Sequence, residues 1–141
     1  RRMDRVRSLD VADLAPLAGV GGVDFVSLQM GPGAAQAGRM PFPLIDLTGG
    51  IGDFADTAAL IANLDLVIGC DTSVIHLAGA LGGPVWLLHR ANGCWRWLLR
   101  RADSPWYPNL RLFRQERPRD WRPVIERVAE ALNDKKAGPP R

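Results

Sequence analysis

The 141-residue sequence is short of the residues that build scaffolds without a core. Its two cysteines, Cys70 and Cys94, are too few for a disulfide framework and do not stand at a metal-ligand spacing, so a reducing compartment, the cytoplasm, is expected. Lysine occurs only as Lys135 and Lys136, and the net charge of +3 rests on scattered arginines. That charge is too small and too dispersed to build a nucleic-acid-binding surface. The uncharged run from Thr72 to His89 is as long as a short membrane span, but Gly82, Gly83 and Pro84 interrupt it, so no transmembrane segment is expected. There is no internal repeat, no dinucleotide or P-loop fingerprint, and no orienting partner that would turn Cys94 and His89 into a nucleophile and base. Position 1 is not Met and no signal-peptide pattern follows it, which points to a chain that begins inside a longer gene product.

What is present fits a single globular domain. Apolar residues make up 47% and charged residues 23%, enough to bury a core and too apolar for disorder. Arginine supplies nearly all the positive charge, and its planar fork suits an anionic ligand.

Apolar spacing organises the chain. Val11, Leu14, Leu17 and Ala18 predict a short amphipathic helix capped by Asp10 or Ser8, and Val23–Leu28 a strand closed by a turn at Gln29–Gly33. Leu44–Leu47 is a second strand, and residues 48–52 form a Gly-rich loop. Asp53 caps a helix from Phe54 to Leu64, with Asp56 in its first turn. Leu66–Cys70 and Pro84–Leu88 lack polar alternation, as in parallel strands covered on both faces, and a helix from Ser73 to Leu81 lies between them. A strand at Leu110–Phe113 follows a structured connection rich in Trp and Pro. Asp120 then caps a helix with Val124, Ile125, Val128, Ala129 and Leu132 on one face. The expected fold is α/β, a doubly wound parallel sheet with ligands at the carboxyl ends of its strands. It spans residues 1–134, with a polar tail at 135–141.

Chemistry is best supported where the 66–70 strand runs into Asp71-Thr72-Ser73. The unpaired N–H groups of a helix start receive phosphate, the Thr72 and Ser73 hydroxyls lie beside them, and His76 follows one turn later. The plain alternative is that Asp71 or Thr72 only caps the helix and His76 only packs. Arg5 and Arg7 could reach the same edge. Gln29, Gly31 and the glycines at 49–52 could meet a ribose or base, or could be ordinary turns. Trp86 is assigned to the core, whereas Trp95, Trp97 and Trp106 are left open.

The segments Asp53–Ile61, Leu64–Ile68, Asp71–Gly82, Pro84–Trp86, Trp95–Leu99 and Asp103–Pro108 together resemble glycosyltransferase family 9, the heptosyltransferase-like enzymes, in the form found in bacterial tetratricopeptide-repeat proteins. The resemblance implies the C-terminal, donor-binding half of a GT-B fold, a Rossmann-like domain facing an N-terminal domain across a cleft. The family's Asp-Thr-x-x-x-His motif falls on Asp71, Thr72 and His76, with Ser73 and Val74 beside them, as the diphosphate site. Arg7 becomes a second phosphate contact, and Gln29, Gly31, Gly50 and Ile51 line the nucleoside. The ligand implied is a nucleoside-diphosphate sugar, a substrate rather than a cofactor, bound without a metal. Transfer would proceed with inversion, the acceptor-activating base would lie in the N-terminal domain, and no catalytic residue is assigned here, so the chain alone is expected to be inactive. The family's first strand would precede Arg1. His89–Cys94 also departs from the family's proline-rich loop, and no contacts are carried over from it. A non-catalytic interaction module of a tetratricopeptide-repeat protein is the alternative from another class.

Overall fold

The computed structural model describes residues 9–137, so Arg5 and Arg7 lie outside the described residues. The fold is α/β and Rossmann-like, with all three strand pairings parallel. The described chain divides into two compact units, residues 50–119 and residues 9–49 with 120–137.

In the first unit, α1 (Phe54–Ala62), β3 (Val67–Cys70), α2 (Ser73–Ala80), β4 (Val85–His89) and β5 (Leu110–Arg114) build a three-stranded sheet in the order β3-β4-β5. Asp53 caps α1 as expected, accepting from the N–H groups of Ala55 and Asp56, while Asp56 accepts from Gly52 N–H. Every residue of β4 is buried, which is what an apolar run without alternation requires of a central strand. The reversal between α2 and β4 uses Gly82 at φ +76°, a left-handed conformation that favours glycine. Register sets Cys70 opposite Leu88 and His89 opposite Arg114, so the carboxyl ends of the three strands gather Asp71, His89 and Arg114 along one edge.

In the second unit, β1 (Phe25–Ser27) pairs with β2 (Leu44–Asp46), and α3 (Arg122–Ala137) packs against the helix at Val11–Gly19. That first helix is 3₁₀ rather than an ordinary amphipathic helix, with Pro16 inside it unable to donate. Asp10 caps it in a reciprocal box with Asp13. The turn expected at Gln29–Gly33 opens a further 3₁₀ helix, Gly31–Arg39, begun by Gly31 at φ +69° and Pro32 in the first turn. The 48–52 loop likewise starts as a 3₁₀ turn, Thr48–Gly50, in which Asp46 accepts from both the backbone and the hydroxyl of Thr48. The α3 helix buries Val124, Ile125, Val128, Ala131 and Leu132, while Ala129 is only half-buried. It continues through Lys135 and Lys136, where a tail was expected, because Lys136 Nζ donates to Gly21 O and cations suit a helix C-terminus.

Candidate functional site

The β3 strand delivers Asp71 and Thr72 directly to the start of α2. Thr72 occupies the cap position but its side chain makes no capping bond, and the Asp71 carboxylate turns elsewhere, so neither residue is simply a helix cap. The first bonds at this end run from Ile75 N and His76 N to Thr72 O. The N–H groups of Ser73 and Val74 precede them and open at the helix end, beside the exposed Thr72 and Ser73 side chains. Ile75, by contrast, is buried, with its Cδ1 over Gly69, and anchors the turn to β3.

Asp71 is tied on both carboxylate oxygens. Oδ1 lies 3.2 Å from His76 Nε2 and Oδ2 accepts from the Trp97 indole N–H at 3.0 Å. An ionised carboxylate only accepts, so His76 Nε2 carries a proton. In the neutral ring Nδ1 is then the acceptor, and it lies 2.9 Å from the Tyr107 hydroxyl, which donates to it. The His76 ring stacks on Trp97 with centroids 5.4 Å apart and meets Tyr107 edge-on at 5.8 Å. Side chains of His76 and Asp71 keep 32% and 24% of their surface exposed, so the pair is open to solvent.

A second set of bonds lies behind the first. Trp97, fully buried, ends a short 3₁₀ turn (Trp95–Trp97), and Arg114 Nη2 donates to the carbonyls of Trp97 and Leu98 at 2.8 and 2.9 Å. Arg114 Nη1 donates to His89 Nδ1 at 2.9 Å. Burial, then the Arg114 charge, pushes the His89 imidazole down to about 4, so it is a neutral acceptor over the usual pH range. Gly93 sits directly on that ring: a Cβ there would lie 1.6 Å from His89 Cε1. Leu98 and Arg100 follow at φ +51° and +64°, in the left-handed region that non-glycine residues seldom adopt.

The structure therefore brings Asp71, Thr72, Ser73, Val74 and His76 together at one helix end. Gly50 and Ile51 precede α1 in the same unit, exposed and half-buried respectively. Gln29 and Gly31 belong to the other unit, where the Gln29 amide folds back onto Met30 O and lies 2.7 Å from where a Gly33 Cβ would be. Of the three tryptophans left open, Trp97 belongs to the site, while Trp95 and Trp106 are exposed. Trp97, Tyr107 and Arg114 were not assigned roles from the sequence. Tyr107 did carry one signal, being the chain's only tyrosine. Among the described residues, no three His, Cys, Asp or Glu side chains form a group able to hold a metal, and no helix is long and apolar enough to cross a membrane.

Residues 40–97 match the family model of glycosyltransferase family 9 (heptosyltransferase). The matched stretch contains the 71–76 helix start and Trp97, but ends before Tyr107 and Arg114. The chain is also 44% identical over 82 residues to protein FlbA of Caulobacter vibrioides, an alignment that covers 58% of this chain and 13% of FlbA. The chain thus spans a small part of that relative. No solved structure matches it.

Proposed function

We propose that the chain is the donor-binding half of a glycosyltransferase that moves a sugar, with inversion, from a nucleoside-diphosphate sugar to an acceptor. The observation that carries this reading is the start of α2: a helix N-terminus whose Ser73 and Val74 N–H groups have no partner among the described residues, at the carboxyl edge of a parallel sheet, inside the stretch that matches the family. The helix dipole and these donors suit a diphosphate. Thr72 and Ser73 add hydroxyls, His76 adds its imidazole, and Arg7 is a further contact. Gly50 and Ile51, in the same unit as this helix start, line the nucleoside.

The reaction proposed is direct displacement at the anomeric carbon, and the site's contribution is to stabilise charge developing on the leaving diphosphate. No metal is needed for that step. The base that activates the acceptor belongs to an N-terminal domain, so catalysis requires the longer protein, placed in the cytoplasm, with the donor-binding domain at residues 1–134. Binding of ADP, UDP and GDP, followed by calorimetry, tests the reading. One nucleotide should bind, and Thr72→Ala and His76→Ala should each weaken it about tenfold to a hundredfold, the loss of a charge-assisted bond. Equal binding by both variants and the parent would remove the assignment.

A second reading is a non-catalytic interaction module of a tetratricopeptide-repeat protein. It is favoured by the closure of the Asp71, His76 and Tyr107 bonds upon one another, since each polar group already has a partner. A chain that binds none of the three nucleotides would support it.

A further inference from the structure

We propose that the 95–106 segment is a peripheral membrane-contact surface, which seats Trp95, Leu98, Leu99 and Trp106 in the interface of an anionic bilayer while Arg96 and Arg100 meet lipid phosphates. It uses none of the side chains assigned to the diphosphate and does not depend on the donor-binding reading.

Folding gains from burying apolar side chains, so a cluster of them left in water needs a reason. Leu99 and Trp95, at 83% and 72% exposure, are the two most exposed large apolar residues among those described, and Trp106 and Leu98 stand with them. Hydrogen bonds gather the four onto one small turn. Leu98 N–H donates to Trp95 O, and the Trp106 indole N–H donates to Arg96 O at 2.9 Å. Leu98 and Arg100, on either side of Leu99, both take positive φ, so the backbone is held in a costly conformation where Leu99 stands out.

The backbone beneath this face is prepared for a dry neighbour. Each carbonyl from Cys94 to Leu98 accepts a bond from within the chain. Trp97 N–H and Leu98 N–H donate to Cys94 and Trp95, the Trp106 indole donates to Arg96, and Arg114 donates to Trp97 and Leu98. Water satisfies the carbonyls of an ordinary exposed turn, whereas a turn pressed into a lipid interface must satisfy its own.

Charge selects the occupant. Segment 90–106 carries Arg90, Arg96, Arg100 and Arg101 against a single acid, Asp103, which is bonded to Arg101. Among the described residues no carboxylate pairs with Arg96 or Arg100, and the Arg96 guanidinium lies over the Trp95 ring, 5.9 Å from its centroid. A second copy of the chain would set these arginines against their own kind. Tryptophan at headgroup level, leucine below it and arginine reaching back to phosphate is the arrangement that a bilayer interface favours. A bilayer also accommodates projecting side chains without a matching cavity, and peripheral contact of this kind requires no membrane-spanning helix.

The test is sedimentation of the chain with vesicles of phosphatidylcholine alone and of phosphatidylcholine mixed with phosphatidylglycerol. The proposal expects binding to the mixed vesicles that raised salt weakens, and little binding to phosphatidylcholine alone. Trp86, Trp97 and Trp121 are buried, so quenching of tryptophan emission by brominated lipid reports on Trp95 and Trp106 and should accompany binding. Leu99→Asp should weaken binding about tenfold to a hundredfold, and Arg96→Gln and Arg100→Gln about fivefold each, all at an unchanged melting temperature. A folded parent chain that leaves both kinds of vesicle in the supernatant overturns the proposal, as does binding without quenching or binding that Leu99→Asp leaves unchanged. Indifference to vesicles together with salt-sensitive binding to an acidic amphipathic peptide overturns it in favour of a protein partner. The quenching and salt measurements are made on the unmutated chain, so they decide the matter even if a variant fails to fold.

Discussion

Trp97 donates its indole N–H to Asp71 across twenty-six positions of sequence, joining the connection between β4 and β5 to the carboxyl end of β3. The bond explains how a turn rich in bulky residues comes to rest with Trp97 fully buried and Trp95 exposed. Trp97→Phe keeps an aromatic ring but removes the donor to a carboxylate together with part of the buried indole. It should cost about 1.5–3 kcal/mol, read as a lower urea midpoint with an unchanged slope.

Gly79→Ala should destabilise the chain, although alanine is the better helix former by about 1 kcal/mol. The added methyl would lie 2.7 Å from Tyr107 Cγ, and the displaced ring would give up its bond to His76. Overpacking of this kind costs about 1–3 kcal/mol, and thermal unfolding of the variant measures the balance.

Stability should fall in acid because of His89. Its folded value of about 4 lies below the ordinary imidazole value of 6.5, so the unfolded chain binds the proton more readily. The contribution is complete above about pH 6.5, declines as the pH drops toward 4, and is level below that. Urea midpoints taken at intervals across this window should fall with pH for the parent. His89→Asn, which cannot titrate, should show a shallower slope.

Asp53→Ala should cost about 0.5–2 kcal/mol, because the Asp53 carboxylate accepts from two N–H groups at the start of α1. Urea titration checks the value, and Asp53→Ser should restore most of it.

Much of the frame was legible in residue patterns. The β3, α2 and β4 unit, the Asp53 cap and the burial of Trp86 follow from apolar runs, a capping residue and paired glycines, all of them local signals. The 3₁₀ helices were less legible, since Gly31–Arg39 holds no large apolar side chain, buries no residue and reads as loop. At the site, the sequence pointed to the helix start but not to the partners that close it. Tyr107 and Trp97 reach His76 and Asp71 through an aperiodic connection. Arg114 meets His89 only because strand register sets them opposite one another. Contacts of that kind depend on tertiary placement, which spacing along the chain does not encode.

The central claim is that the start of α2 receives a diphosphate. The most direct test is a ¹⁵N-resolved NMR titration of the chain with ADP, UDP and GDP, following the backbone amides of Ser73 and Val74. The account predicts that one nucleotide moves these two amides and the Thr72 amide more than any in α3, with the shifts saturating. A well-dispersed spectrum in which all three nucleotides leave Ser73 and Val74 unmoved would contradict it.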